Sequence, residues 1–311
     1  MLSVLSVIAP VFGLIAFGYL AVRLKAYPAA GIPSLISFVN NFATPCLLFY
    51  SMVNSDFRSA FNLGVIGPFY LGAFVCFGLG ILAGRVLFKD TPGESVSSGF
   101  SAMFTNTVLV GLPVIQRAYG QESLPTILSI IGIHGALLIT SAMLTMELVR
   151  RDGRPLPAAL AQAVRRIAAN PLLWGIAAGL IANFAGLTLV EPVDAFFSMM
   201  AQAVVPVALF AIGGALNAYR LSENWGQAAV LSFIKLMIHP AICYVLMVPV
   251  LGVPMEIARY GIVMAAMPAG INSYVFSTYY NRGVSVAANT VLIGTVSAAF
   301  TVALWIYLLT L

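Results

Sequence analysis

Apolar residues run through this chain in long stretches separated by short polar ones, with neither the alternation of a half-buried strand nor the single stripe of a surface helix. A helix needs about 20 mainly apolar residues to cross the hydrocarbon core of a bilayer. Ten windows meet that requirement, near 4–22, 33–53, 63–87, 97–119, 124–146, 170–189, 194–216, 226–250, 258–280 and 286–310. The first lacks a basic leader segment and has a counterpart in the second half, so it reads as a span and not as a signal peptide. The longest polar interruption, 147–169, is too short for a folded soluble domain. The expectation is an all-α, multi-pass integral membrane protein that works as one unit in or across the membrane.

Composition supports that class. With 61% hydrophobic and 8% charged residues among 311, the chain lacks the polar surface to coat a soluble globule. The net charge of +5 would suit an acidic partner such as nucleic acid, but the basic residues fall on alternate connections. On the side opposite the N-terminus lie Arg23, Lys25, Arg85, Lys89, Arg150, Arg151, Arg154, Arg165, Arg166, Arg220 and Arg282, against Arg58, Arg117 and Arg259 on the N-terminal side. This bias predicts a cytoplasmic 150–166 connection and both termini outside, and argues against nucleic acid. Cys46, Cys76 and Cys243 lie in apolar windows without metal-ligand spacing, so no metal site, disulfide framework or cofactor is expected.

Displacing the chain by 161 residues superposes Pro10 on Pro171, Gly18 on Gly179, Ser37 on Ser198, Pro45 on Pro206, Phe49 on Phe210, Met103 on Met264 and Tyr119 on Tyr280 without a gap. Prolines and glycines in register point to a duplication, 1–146 against 170–311 with 147–169 as linker. Five spans per half is an odd number, so the second half enters the membrane from the other side. The repeat is then inverted.

The fourth window contains NTVLVGLP at 106–113 and the ninth contains MPAGINSY at 267–274. Proline removes a backbone donor and glycine lets the chain leave helical geometry, so each half should have one interrupted helix. Unwound backbone at membrane depth persists only where it is buried in protein or lines a cavity. Two such breaks meeting near the midplane would form a ligand site with half-helix N-termini favourable to an anion. A packing kink is the plainer reading of a lone proline, and it accounts less well for paired breaks that carry Asn106 and Asn272.

The segments NNFATPCLLF, NTVLVGLP, AVVPVALFAIGGAL and MPAGINSYVFSTYY together resemble the auxin efflux carrier family, the bacterial relatives of plant PIN auxin transporters and of malonate permeases. The resemblance spans the whole chain and implies a bacterial inner membrane. It implies a bile-acid-symporter-like architecture of ten helices: a scaffold from the first, second, sixth and seventh, often a homodimer interface, and a mobile transport domain from the rest. It implies an elevator mechanism, with the broken helices crossing at Pro113 and Pro268 and with Asn106 and Asn272 beside a small organic anion. Thr107, Gly111, Ser273 and Tyr274 fall in the same two motifs. The long cytoplasmic loop of the plant proteins has no counterpart here.

The other polar residues admit two readings each. His134, where the plant relatives have a substrate-facing Gln, is either a ligand and proton carrier or a satisfied core histidine. Lys235 and His239 lie one turn apart in the eighth window, deep enough that the lysine is costly unless paired or functional. Asn41, Thr44 and Gln202 are candidate ligands or interhelical glue. The interiors of the windows hold no acidic residue, which disfavours a sodium-coupled symporter of the bile-acid type. A channel is disfavoured by the closed midplane site, and an enzyme by the lack of HExxH, GxSxG or DDxxD patterns.

Overall fold

The computed structural model describes residues 2–54, 62–150, 168–169, 171–218 and 223–310. Arg58, Arg151, Arg154, Arg165, Arg166, Arg220 and most of the 147–169 linker lie outside the described residues, so the charge-bias reading there has no structural counterpart.

The described residues are helical almost throughout. Running in chain order, α1 is Leu2–Arg23, α2 Ala29–Val53, α3 Leu63–Val86, α4a Pro92–Met103, α4b Leu112–Tyr119 and α5 Leu124–Arg150. The second half has α6 Pro171–Phe184, α7 Glu191–Ala215, α8 Trp225–Val250, α9a Met255–Ala265, α9b Asn272–Tyr280 and α10 Val284–Leu308. Six of these, α2, α3, α5, α7, α8 and α10, are long and apolar enough to cross a membrane. Their outer faces carry bare aliphatic and aromatic side chains such as Phe42, Leu63, Phe196 and Phe300, the pattern expected where lipid replaces water as the surrounding solvent.

The sixth window was expected to run to 189, but its helix stops at Phe184. Gly186 takes a left-handed backbone (φ 64°), and the N–H of Leu187 turns back to the carbonyl of Ala182 at 3.0 Å. This is a glycine-terminated C-cap, which ends a helix whatever the hydropathy beyond it.

Helices of the first half pack mainly on helices of the second: α1 on α7, α2 on α6 and α7, α3 on α8 and α9a. The closest approaches are at glycine. A β-carbon on Gly18 of α1 would overlap the Phe210 carbonyl of α7, and one on Gly179 of α6 would lie 2.7 Å from the Phe49 carbonyl of α2. Only glycine permits backbone-to-backbone contact of this kind.

The α3–α4a connection closes with polar contacts. Thr91 donates both its backbone N–H (2.9 Å) and its hydroxyl (2.6 Å) to Glu94, a capping-box arrangement that starts α4a. Asp90 accepts from Ser98 at 2.7 Å and from Gln227 of α8 at 2.6 Å. Desolvation raises the Asp90 carboxyl above its ordinary range, although both hydrogen bonds pull it down. The Thr91 contacts hold Glu94 below its own.

Candidate functional site at the helix crossing

Both expected breaks are present, and they meet. After Met103 the chain turns extended at Phe104 (ψ 114°), while α9a ends at Ala265 and resumes only at Asn272. Pro268 favours extended backbone for the residue before it. Thr105 and Ala269 then face each other as an isolated antiparallel β-bridge. Asn106 N–H donates to Pro268 O at 2.8 Å, and Gly270 N–H donates to Phe104 O at 3.0 Å. Each unwound segment thus satisfies donors of the other, which is what permits non-helical backbone away from water.

The crossing lies at Thr105 and Ala269, not at Pro113 and Pro268 as expected. Pro268 flanks it, but Pro113 sits at the start of α4b, beyond a π-helical turn Thr107–Gly111. Pro113 lacks the N–H that would bond to the preceding turn, and the widened π turn before it absorbs that loss: Gly111 and Leu112 are both right-handed helical, so the helix runs on through Pro113 and is not interrupted there. The interruption is made by Phe104 to Asn106, where the Asn106 side chain caps the restarted helix by accepting from Leu109 N–H at 3.2 Å.

Beside the crossing is a cavity of about 390 Å³, walled by α2, α4, α5, the start of α6 and α9b. Asn106, Thr107, His134 and Asn272 line it, as do Thr105 and Gly270. Among the described residues no Asp, Glu, Lys or Arg contributes to the lining. Asn106 is 5% exposed, and its amide Nδ2 has no hydrogen-bond partner, nor do the Thr105 hydroxyl and His134 Nδ1. His134 Nε2 lies 3.2 Å from Thr105 N and 3.1 Å from Thr105 O. Thr105 O already accepts from Thr107 N–H at 2.9 Å. The Thr105 N–H requires an acceptor and His134 supplies it, so the ring proton belongs on Nδ1. His134 Nδ1 and the Asn106 amide nitrogen are thus buried, unpartnered donors on residues that line the cavity, and among the described residues no carboxylate lines it.

The remaining candidates separate into three groups. Gly111, Ser273 and Pro268 are buried against the crossing: Gly111 faces Met264 of α9a, where a β-carbon would lie 2.6 Å from its Sδ, and the Ser273 hydroxyl is unpartnered. Tyr274 is half-buried on α9b. Pro113 and Gln202 instead line a second hollow of about 720 Å³ with Tyr50, Gln116 and Arg117, and Gln202 donates to Ser198 at 3.1 Å. Thr44 is buried with its hydroxyl unpartnered, and Asn41 is exposed and donates to Ser37 at 2.9 Å. Lys235 and His239 are absent from the lining of either hollow and bond to each other.

Three polar lining residues were missed in the sequence: Asn40, Thr105 and Thr140. Asn40 stands next to the candidate Asn41, and the π-helical turn Val39–Ala43 decides which of the pair faces inward. An α-helical wheel cannot register that widened turn.

The family model described as "Membrane transport protein" matches residues 3–306. A "Putative malonate transporter" of Rhizobium meliloti is 27% identical over 315 residues, covering 99% of this chain and 97% of the relative. An "Uncharacterized transporter" of Methanothermobacter thermautotrophicus is 23% identical, over 97% and 96% of the two chains. An "Uncharacterized transporter YfdV" of Escherichia coli K12 is 21% identical, over 96% and 95%.

Proposed function

The chain belongs to the membrane transport protein family, the auxin efflux carriers of the sequence reading, and we propose that it is a secondary carrier of a small organic anion. The observation that carries this is the cavity at the crossing, where buried Asn106 keeps an unpartnered amide nitrogen and, among the described residues, no acidic side chain repels an anion. Each amide donates two hydrogen bonds, which suits a carboxylate. The name of the Rhizobium meliloti relative makes malonate the first ligand to try.

The architecture that goes with this function is two inverted five-helix repeats, with α1, α2, α6 and α7 as a fixed scaffold against which the crossed helices slide. It is supported by the glycine contacts, since Gly18 against Phe210 and Gly179 against Phe49 stand in the same 161-residue register at both ends. The two hollows, separated by α4b, suit access from alternate sides. A cytoplasmic 150–166 connection and external termini complete the reading; an impermeant thiol reagent labelling Arg154→Cys in intact cells would refute that orientation.

A thermal-shift screen of purified protein against malonate, other mono- and dicarboxylates and indole acids tests the function. A ligand raises the melting temperature by mass action. In the ligand found, Asn106→Ala should weaken binding roughly 5-fold to 150-fold, from about 1 to 3 kcal/mol for a lost partner in a dry site. Unchanged binding by a folded variant would leave Asn106 as a cap only.

A further inference from the structure

Lys235 lies in a π-helical turn of α8, Ile234–Ile238, with 0% of its surface exposed. An ammonium in such a place is costly unless a carboxylate pairs with it, and no acidic residue lies in the interior of an apolar window. Among the described residues Nζ has two partners, the Ala265 carbonyl at 2.6 Å and His239 Nδ1 at 3.0 Å. The other imidazole nitrogen, Nε2, is 2.9 Å from Phe69 O. A carbonyl only accepts, so Nε2 carries the proton, Nδ1 is the acceptor, and Lys235 donates to it. Gly72 of α3 makes room for the ring, for a β-carbon there would lie 2.9 Å from His239 Cδ2. Three helices thus build this pocket.

Two acceptors satisfy a neutral amine with its two N–H groups, and they leave an ammonium one acceptor short. Ala265 is the last residue of α9a, so its carbonyl stands at the negative end of that half-helix. A few residues on, Gly270 and Asn272 line the cavity. An anion in the cavity and a positive charge on Lys235 sit on two sides of one short break, and each stabilises the other.

We propose that Lys235 takes up a proton when the cavity takes up its anion and releases it when the anion leaves, so that the carrier moves a proton with the anion. This rests on the organic-anion reading and names its coupling ion. Hydronium from the open side gives a proton to the Nζ lone pair, leaving water. The amine becomes an ammonium, and the reverse transfer occurs on the other side. No electrons are exchanged. The loaded protein then carries anion and ammonium together and the empty one carries neither, which limits the charge moved through hydrocarbon. The other titratable groups around this place are His239 and Cys243 on α8, Cys76 and Tyr70 on α3, and His134 on α5. From α9a comes only the Ala265 carbonyl, and from α10 the Trp305 indole, which donates to Leu236 O at 3.0 Å.

The test mixes purified full-length protein with malonate in weakly buffered solution near pH 7.5, with a pH-sensitive dye, while calorimetry counts the malonate bound. Wild type should take up about one proton per malonate bound. Lys235→Gln and Lys235→Arg, one never charged and the other always charged, should each reduce uptake per bound malonate at least ~5-fold. The second variant keeps the test decisive if the first fails to fold. Cys76→Ser should take up protons as wild type does. Binding without proton uptake in wild type overturns the proposal and leaves the anion reading intact. Uptake that survives in both lysine variants also overturns it, placing the proton on the ligand or on another group. Failure of malonate and of every other anion of the screen to bind wild type removes the anion reading, and this proposal with it.

Discussion

The two breaks meet at one crossing, yet they satisfy their loose backbone groups in opposite ways. On the α4 side the work falls to polar side chains: His134 accepts from Thr105 N–H, and Asn106 accepts from Leu109 N–H. Both keep a second polar atom to spare, and those atoms, His134 Nδ1 and Asn106 Nδ2, have no protein partner. On the α9 side the work falls to residues with nothing left over. Pro268 has no N–H to satisfy, Gly270 yields space to the Phe104 ring, and Lys235 takes the final carbonyl of α9a. On the proposed anion reading, recognition would be concentrated on α4 and α5, whereas the α9 side shapes the crossing.

The largest effect should come from Asn106→Asp. An ionised carboxylate can still cap Leu109 N–H but has no donor and repels an anion, so malonate binding should fall roughly 100-fold or more, about 3 kcal/mol, and its burial without a cation should also lower the melting temperature. Asn272→Asp, on an exposed residue at the start of α9b, should cost ~10-fold or less, because an acid is favourable at a helix N-terminus. Equal losses in calorimetry would erase the contrast between the breaks.

Packing offers the reverse contrast. A β-carbon at Gly270 would lie 2.9 Å from Phe104 Cδ1 and 3.4 Å from Thr105 O, so Gly270→Val should destabilise by about 1 to 3 kcal/mol, seen as a lower melting temperature. Thr105→Val, opposite it, removes a hydroxyl that has no partner and should cost under about 1 kcal/mol. A smaller third effect is expected at His134. His134→Phe leaves Thr105 N–H without its acceptor, at about 1 to 2 kcal/mol, and His134→Gln should recover part of that. Identical melting temperatures for the Phe and Gln variants would remove the hydrogen bond from the account.

The smallest effects lie outside the crossing, at the α3–α4a connection, and serve as its control. Asp90 holds its proton more tightly folded than unfolded, so its contribution favours the fold in acid and is lost as pH rises from the ordinary carboxyl value of about 4 through the raised one. Glu94 has the opposite sign: its contribution is present above its ordinary value and lost as pH falls through the lowered one. Melting curves of Asp90→Asn and Glu94→Gln against pH should flatten in opposite senses, with malonate affinity unchanged. A change in affinity would tie this connection to the site.

How much of this was legible in the sequence depends on which force decided each feature. Burial against lipid depends on hydropathy summed over a helix, so α2, α3, α5, α7, α8 and α10 could be read from their runs of apolar residues. The breaks were legible because proline, glycine and asparagine leave a chemical trace in an apolar run. The point of crossing was not, since a widened helical turn accommodates a proline as readily as an unwound segment does, and Thr105 is unremarkable until Ala269 is set against it. Asn40 was hidden by a widened turn, and the end of α6 by a glycine whose backbone angle hydropathy does not encode. The acceptors of Lys235 are carbonyls and an imidazole from other helices, and no periodicity announces those.

The glycine contacts between α1 and α7 and between α2 and α6 have a mechanical consequence. Where side chains separate two helices, a displacement of one is partly absorbed by rotamers before the other feels it. With the carbonyl of Phe210 against Gly18, and that of Phe49 against Gly179, no such compliant layer exists. The paired helices must move as stiff beams. Any strain that arises when the crossed helices shift is passed on undiminished to the next softer contact, the side-chain-packed surfaces around α4b and α9b.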